Sequence, residues 1–146
     1  MNNRITPILF AEDNVLDIEL TLEAFTHINI KNKIEIVRDG QEVLDYLLYQ
    51  NEFKNRPIEL PALIILDYNM PKLSGVEALK RIKSYRHLSN IPIIMMISSK
   101  LEEHLFKSNK LKIDAFLIKP IYLEPFMTAI QKIGMDWAIF NSRETY

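Results

Sequence analysis

The chain contains no cysteine, which excludes disulfides, thiolate metal sites and thiol catalysis together. Glycine is scarce, three in 146 residues, and none follows the first strand-like run, so the glycine-rich phosphate loop of nucleotide-binding folds is missing there. No uninterrupted apolar run approaches the roughly 18 residues of a membrane span, so no membrane partner is expected. Charge of one sign is also missing. Eighteen Lys and Arg stand against 19 Asp and Glu, a net charge of −1, so bulk charge implies no nucleic-acid partner. The local group Lys107, Lys110 and Lys112 reads as a solvated helix face. The opening residues, Met1-Asn2-Asn3-Arg4, lead directly into a strand-like run without an apolar signal segment, and a cytoplasmic location is expected.

What the chain does have is apolar residues, 48% of the total, enough for one core. We expect a single domain over 1–146, with 134–146 as a C-terminal extension. Ile8 to Ala11 is a short run without alternation, as in a strand covered on both faces. Asp13 and Asn14 end it and can cap a helix whose stripe is Leu16, Leu20, Ala24 and Ile28, widened by Leu22 and Phe25. Ile34 to Val37 reads as a second strand, closed by Asp39-Gly40, and Val43, Leu44, Leu47 and Leu48 give a second helical stripe.

Residues 50 to 61, with Pro57 and Pro61, form a connecting loop with room for a helix extension. Ala62 to Leu66 is five apolar residues in a row, the pattern of a central parallel strand. Ser74-Gly75 introduces a third helix with Val76, Leu79 and Ile82. Ile93 to Ile97 is a fourth strand and Ala115 to Ile118 a fifth, with a helix over 102 to 111 between them. Leu123, Phe126, Met127, Ile130 and Ile133 mark a last helix ending near Gly134. Trp137 and Phe140 add apolar area beyond it, for core packing or for extending an adjoining face.

Five strand–helix alternations with short connections predict an α/β fold: a doubly wound five-stranded parallel sheet with helices on both faces. Its ligand belongs at the carboxyl ends of the strands. The charges sit at those ends. Glu12 and Asp13 close the first strand, Asp67 the third and Lys119 the fifth. Carboxylates brought together there repel, and a cation offsets the repulsion. All-oxygen ligands favour Mg²⁺ over Zn²⁺. Asp13 and Asp67 are the strongest ligand candidates, with Glu12 acting directly or through water and the Asn69 backbone carbonyl as a further ligand. Asp67 is also a candidate nucleophile toward phosphorus, and Lys119 a point charge for phosphoryl oxygens. Pro120 fixes the turn after the lysine and is a candidate for a cis bond. His27, His87 and His104 form no cluster, and Met95 and Met96 read as core.

Glu12-Asp13, the run Asp67-Tyr68-Asn69-Met70-Pro71-Lys72-Leu73-Ser74-Gly75, and Lys119-Pro120 together carry a resemblance. Over residues 8 to about 133 the chain resembles the receiver domain of two-component response regulators, and more narrowly the stand-alone regulators associated with bacterial phytochromes. The resemblance implies a flavodoxin-like (βα)5 fold with strand order 2-1-3-4-5. It implies that Asp67 accepts a phosphoryl group from the phosphohistidine of a sensor kinase or phosphotransfer protein, with Mg²⁺ and Lys119 assisting. Such a domain catalyses only its own phosphorylation and hydrolysis and is no enzyme toward a metabolite. The resemblance places output on the face of the fourth helix, fifth strand and fifth helix, here roughly 102 to 133, read by a second copy or a downstream protein.

One position departs from the family pattern. The threonine or serine of the fourth strand falls at Ile97, which has no hydroxyl to donate. Ser98, the next residue, is aimed the other way by strand periodicity and would substitute only if the strand end shifts. The aromatic switch position falls at Phe116, which a bulky Ile97 is expected either to hold outward or to block from swinging inward. Two rival readings follow: a receiver-fold interaction module that no longer uses phosphate, and a Mg²⁺-dependent phosphatase with an aspartyl nucleophile. The phosphatase would need an acid two residues after the nucleophile, where Asn69 stands.

Overall fold

The computed structural model describes residues 5–28 and 30–134; the expectations for Trp137, Phe140 and the extension lie outside the described residues. Five parallel strands, β1 (Ile8–Ala11), β2 (Ile34–Val37), β3 (Leu63–Asp67), β4 (Ile93–Ile97) and β5 (Ala115–Ile118), form one sheet in the order β2-β1-β3-β4-β5. Between and after them lie α1 (Val15–His27), α2 (Gly40–Leu47), α3 (Gly75–Lys83), α4 (Lys100–Lys107) and α5 (Leu123–Lys132). Every residue of β1, β3 and β4 is buried, because helices cover both sides and leave no wet face for a polar alternation.

The two layers divide cleanly. One core joins Leu9, Leu66, Met95 and Ile97 of the sheet to Val43 and Leu47 of α2, Leu79 and Ile82 of α3 and Phe106 of α4. The other joins Ile8, Phe10, Ile65 and Met96 to Ile18 and Phe25 of α1 and Phe126 and Ile130 of α5. Phe25 stacks at a tilt on Phe126, ring centres 4.9 Å apart, which locks α1 to α5.

Two elements differ from the sequence expectation. The buried face of α1 is Ile18, Thr21, Ala24 and Phe25, whereas Leu16 and Leu20 are exposed, Leu16 by 63%. A stripe spaced every fourth residue drifts around a helix of 3.6 residues per turn, so Leu16 and Ala24 do not share a face. α4 begins two residues earlier than expected, because Ser99 caps it by accepting the Glu102 N–H, and it ends at Lys107 rather than near residue 111.

The long connection from α2 to β3 holds one 3-10 turn, Asn51–Phe53, and is otherwise organised by Arg56. Its guanidinium lies 3.7 Å from the Tyr46 ring centre and 4.1 Å from that of Tyr49. It also donates to the backbone carbonyls of Tyr46, Pro57 and Glu59. No helix among the described residues is long and apolar enough to cross a membrane.

Candidate phosphoryl and metal site

Strand register assembles the site. Ala11 lies opposite Leu66, which brings Glu12 level with Asp67; Ile97 lies opposite Ile118, which sets Lys119 just beyond the neighbouring strand end. The Glu12 N–H still bonds the Val37 carbonyl and the Lys119 N–H the Ile97 carbonyl, so both backbones remain pinned as the chain leaves the sheet. After β1, Asn14 caps α1 by accepting the Asp17 N–H at 2.9 Å. The loop after β3 closes through a capping box between Ser74 and Glu77. Gly75 packs so tightly on the Asp67 carbonyl that any Cβ there would collide.

At this rim, one ligand oxygen from each of Glu12, Asp13 and Asp67 lies within 4.8 Å of the others. Glu12 and Asp67 are buried and Asp13 is exposed, so the group is open to solvent on the Asp13 side. The Lys119 ammonium sits among them, 3.0 Å from Asp67 Oδ2 and 3.2 Å from Glu12 Oε1. The other Asp67 oxygen accepts the Asn69 N–H at 3.2 Å. Both oxygens of Asp67 are thus oriented by fixed donors. The Lys119–Pro120 peptide is cis.

The site is unbalanced in charge. Burial and the neighbouring Asp67 push the Glu12 carboxyl up from 4.5 to about 7, against the attraction of Lys119. Burial lowers Lys119, but its bonds and attraction to Asp67 and Glu12 outweigh this and hold its ammonium above the usual lysine range. This cluster of carboxylates alone, in which not every acid ionises comfortably, is a donor set suited to a hard divalent cation.

The structure brings Glu12, Asp13, Asp67 and Lys119 together. The switch positions differ in burial. Ile97 is fully buried in the core with Leu66, Met95 and Phe106, while the Ser98 side chain is exposed. Phe116 is half-buried and meets Phe106 edge-on, centres 5.2 Å apart.

Two acids were missed by sequence reasoning. Asp17 reaches Lys119 at 3.3 Å; its signal was its place one helical turn after Asp13, on the same rim. Glu102 accepts the Asn69 side-chain amide at 2.6 Å and the Ser98 N–H at 2.7 Å. Its signal is the spacing of three from Ser99, a capping pattern that a helix starting at residue 102 leaves out.

The chain is similar to known proteins over most of its length. The family described as "Response regulator receiver domain" matches residues 8–131. Response regulator Rcp1 of Synechocystis sp. is 33% identical over 130 residues, covering 89% of this chain and 87% of Rcp1. The solved bacteriophytochrome response regulator AtBRR is 41% identical with a TM-score of 0.89, over 94% of this chain and 99% of that one. The Mn²⁺-bound form of Rcp1 superposes with a TM-score of 0.72 at 30% identity, over 98% of this chain and 99% of that one.

Proposed function

We propose a phosphorylation-activated switch for this chain, which belongs to the response regulator receiver domain family of two-component signalling. Receiver domains take phosphoryl groups from histidine kinases, and the acidic cluster of Glu12, Asp13 and Asp67 fits a divalent metal site in such domains. In our reading Asp67 is the acceptor. A carboxylate oxygen of Asp67 forms the P–O bond as the P–N bond to the kinase imidazole breaks. The electron pair stays on the imidazole nitrogen, which then takes a proton from water.

Asn69 and Lys119 orient the two Asp67 oxygens, 3.2 Å and 3.0 Å away, and Lys119 then follows the phosphoryl oxygens as charge moves onto them. Glu12, Asp13, Asp67 and the Asn69 carbonyl would hold Mg²⁺, which supplies positive charge against the phosphoryl group when bound. That Rcp1 has a solved Mn²⁺-bound form supports a divalent ion of this hard class. The chain acts on itself alone, as one domain, and transmits the result through the α4–β5–α5 face, residues 102 to 133, to a second copy or a downstream protein. Pro120 shapes the turn that presents Lys119.

The observation that carries this reading is the convergence of three carboxylate oxygens within 4.8 Å beside an ammonium bonded to Asp67. Incubation with acetyl phosphate and Mg²⁺, followed by intact mass, tests it. The parent is expected to gain one phosphoryl group and Asp67→Asn none. Equal labelling of both would remove Asp67 from the role, and no labelling of the parent would favour the interaction module suggested by the buried Ile97 side chain.

A further inference from the structure

We propose that Glu102 is an anionic latch that holds the first turn of α4 against the phosphoacceptor loop and is displaced when Asp67 carries a phosphoryl group. This inference rests on Asp67 being the acceptor. Glu102 bridges the loop after β3 and the exit of β4. One oxygen accepts the Ser98 N–H at 2.7 Å, at the exit of β4, and the other accepts the Asn69 side-chain amide at 2.6 Å, 33 residues away in sequence. Asn69 in turn donates its backbone N–H to Asp67 Oδ1. A chain of two hydrogen bonds therefore runs from the acceptor carboxylate through Asn69 to α4.

The chemistry makes this arrangement bistable. A phosphoryl group adds about −1.5 to −2 charge and three acceptor oxygens. Placed on Asp67, it repels the Glu102 carboxylate and competes with it for the same donors, the Asn69 amide and the Ser98 N–H. Those donors are already aimed at an anion, so exchanging one anion for another needs little reorganisation. α4 is lightly anchored, since Phe106 is its one buried residue among those described. Its first turn is therefore free to move once the bridge opens. The device needs no hydroxyl at position 97, where Ile97 is buried in the core. It differs from simple capping, in which the carboxylate would serve only its own helix terminus.

The experiment compares backbone amide spectra and intact mass for the parent, Glu102→Gln and Asn69→Ala, each with Mg²⁺, before and after acetyl phosphate. Glu102→Gln keeps an oxygen for the Ser98 N–H and removes the charge. Asn69→Ala cuts the bridge while leaving the helix cap and the residue 69 carbonyl in place. In the parent, phosphorylation should shift the amides of Ser98 and Leu101 to Glu103. In unphosphorylated Asn69→Ala these amides should already sit toward the phosphorylated positions. Glu102→Gln should gain its phosphoryl about threefold to fivefold faster, as expected for loss of one like charge at a partly exposed site. If the parent is phosphorylated but both variants show parental amide shifts and rates, the latch is wrong while the acceptor assignment stands. If the parent gains no phosphoryl group, the acceptor assignment fails and takes the latch with it.

Discussion

At the scale of single residues, the account turns on buried charges that are only partly paired. Lys119 faces Glu12, Asp17 and Asp67 within 3.3 Å. Removing a buried ion-pair partner strands the remaining charge. Lys119→Ala should therefore cost about 3 kcal/mol without metal, measured by urea unfolding, and Mg²⁺ should restore part of it. Glu12 behaves in the opposite sense to a salt-bridged acid. Its carboxyl is raised from 4.5 to about 7, first by burial, so the folded state holds a proton that the unfolded chain releases. Its contribution is most favourable below pH 4.5 and is lost as pH rises toward about 7, by up to about 3 kcal/mol. Unfolding of the metal-free Asp67-containing protein at pH 5.5 and 8 should show this fall relative to Glu12→Gln. Stability that rises across that window relative to the variant would refute the assignment.

At the scale of elements, the strands were legible and the helix faces less so. β1, β3 and β4 are uninterrupted apolar runs, a pattern that parallel strands buried on both sides almost force, and their ends marked where Glu12, Asp67 and Ile97 would lie. α1 carries apolar residues around more than one face, so periodicity alone could not choose between the Leu16 and Ile18 sides. Leu16 and Leu20 are exposed, and Leu20 lines a surface cleft with Pro120 and Tyr122. Leu16→Ala should change stability by no more than about 0.5 kcal/mol. Phe25→Ala, which removes the ring packed on Phe10 and Phe126, should cost about 3–5 kcal/mol. Thermal or urea unfolding of the two variants checks which face is buried. The loop from 50 to 61 was readable as a loop but not as an ordered one, since the Arg56 sandwich depends on tyrosines seven and ten residues away. Glu102 escaped notice for a similar reason: its partner Asn69 is brought near only by the pairing of β3 with β4.

At the scale of the whole molecule, a rigid sheet carries a site at one edge and lightly anchored α4 beside it. In our reading the hydroxyl position of the resembled family falls at Ile97, which here is packed in the core. Ile97→Thr should lower stability by about 2 kcal/mol through lost apolar volume and a buried hydroxyl. It should also enlarge the phosphorylation-dependent change in hydrogen exchange over residues 102 to 133. An unchanged response would mean that position 97 has no part in coupling.

The convergence of distant acids on one cation is tested most directly by calorimetric titration of Mg²⁺ into the parent, Asp13→Asn and Asp67→Asn. One site is predicted for the parent, and each substitution should weaken it by at least about tenfold. Parental affinity in either variant would contradict the shared site.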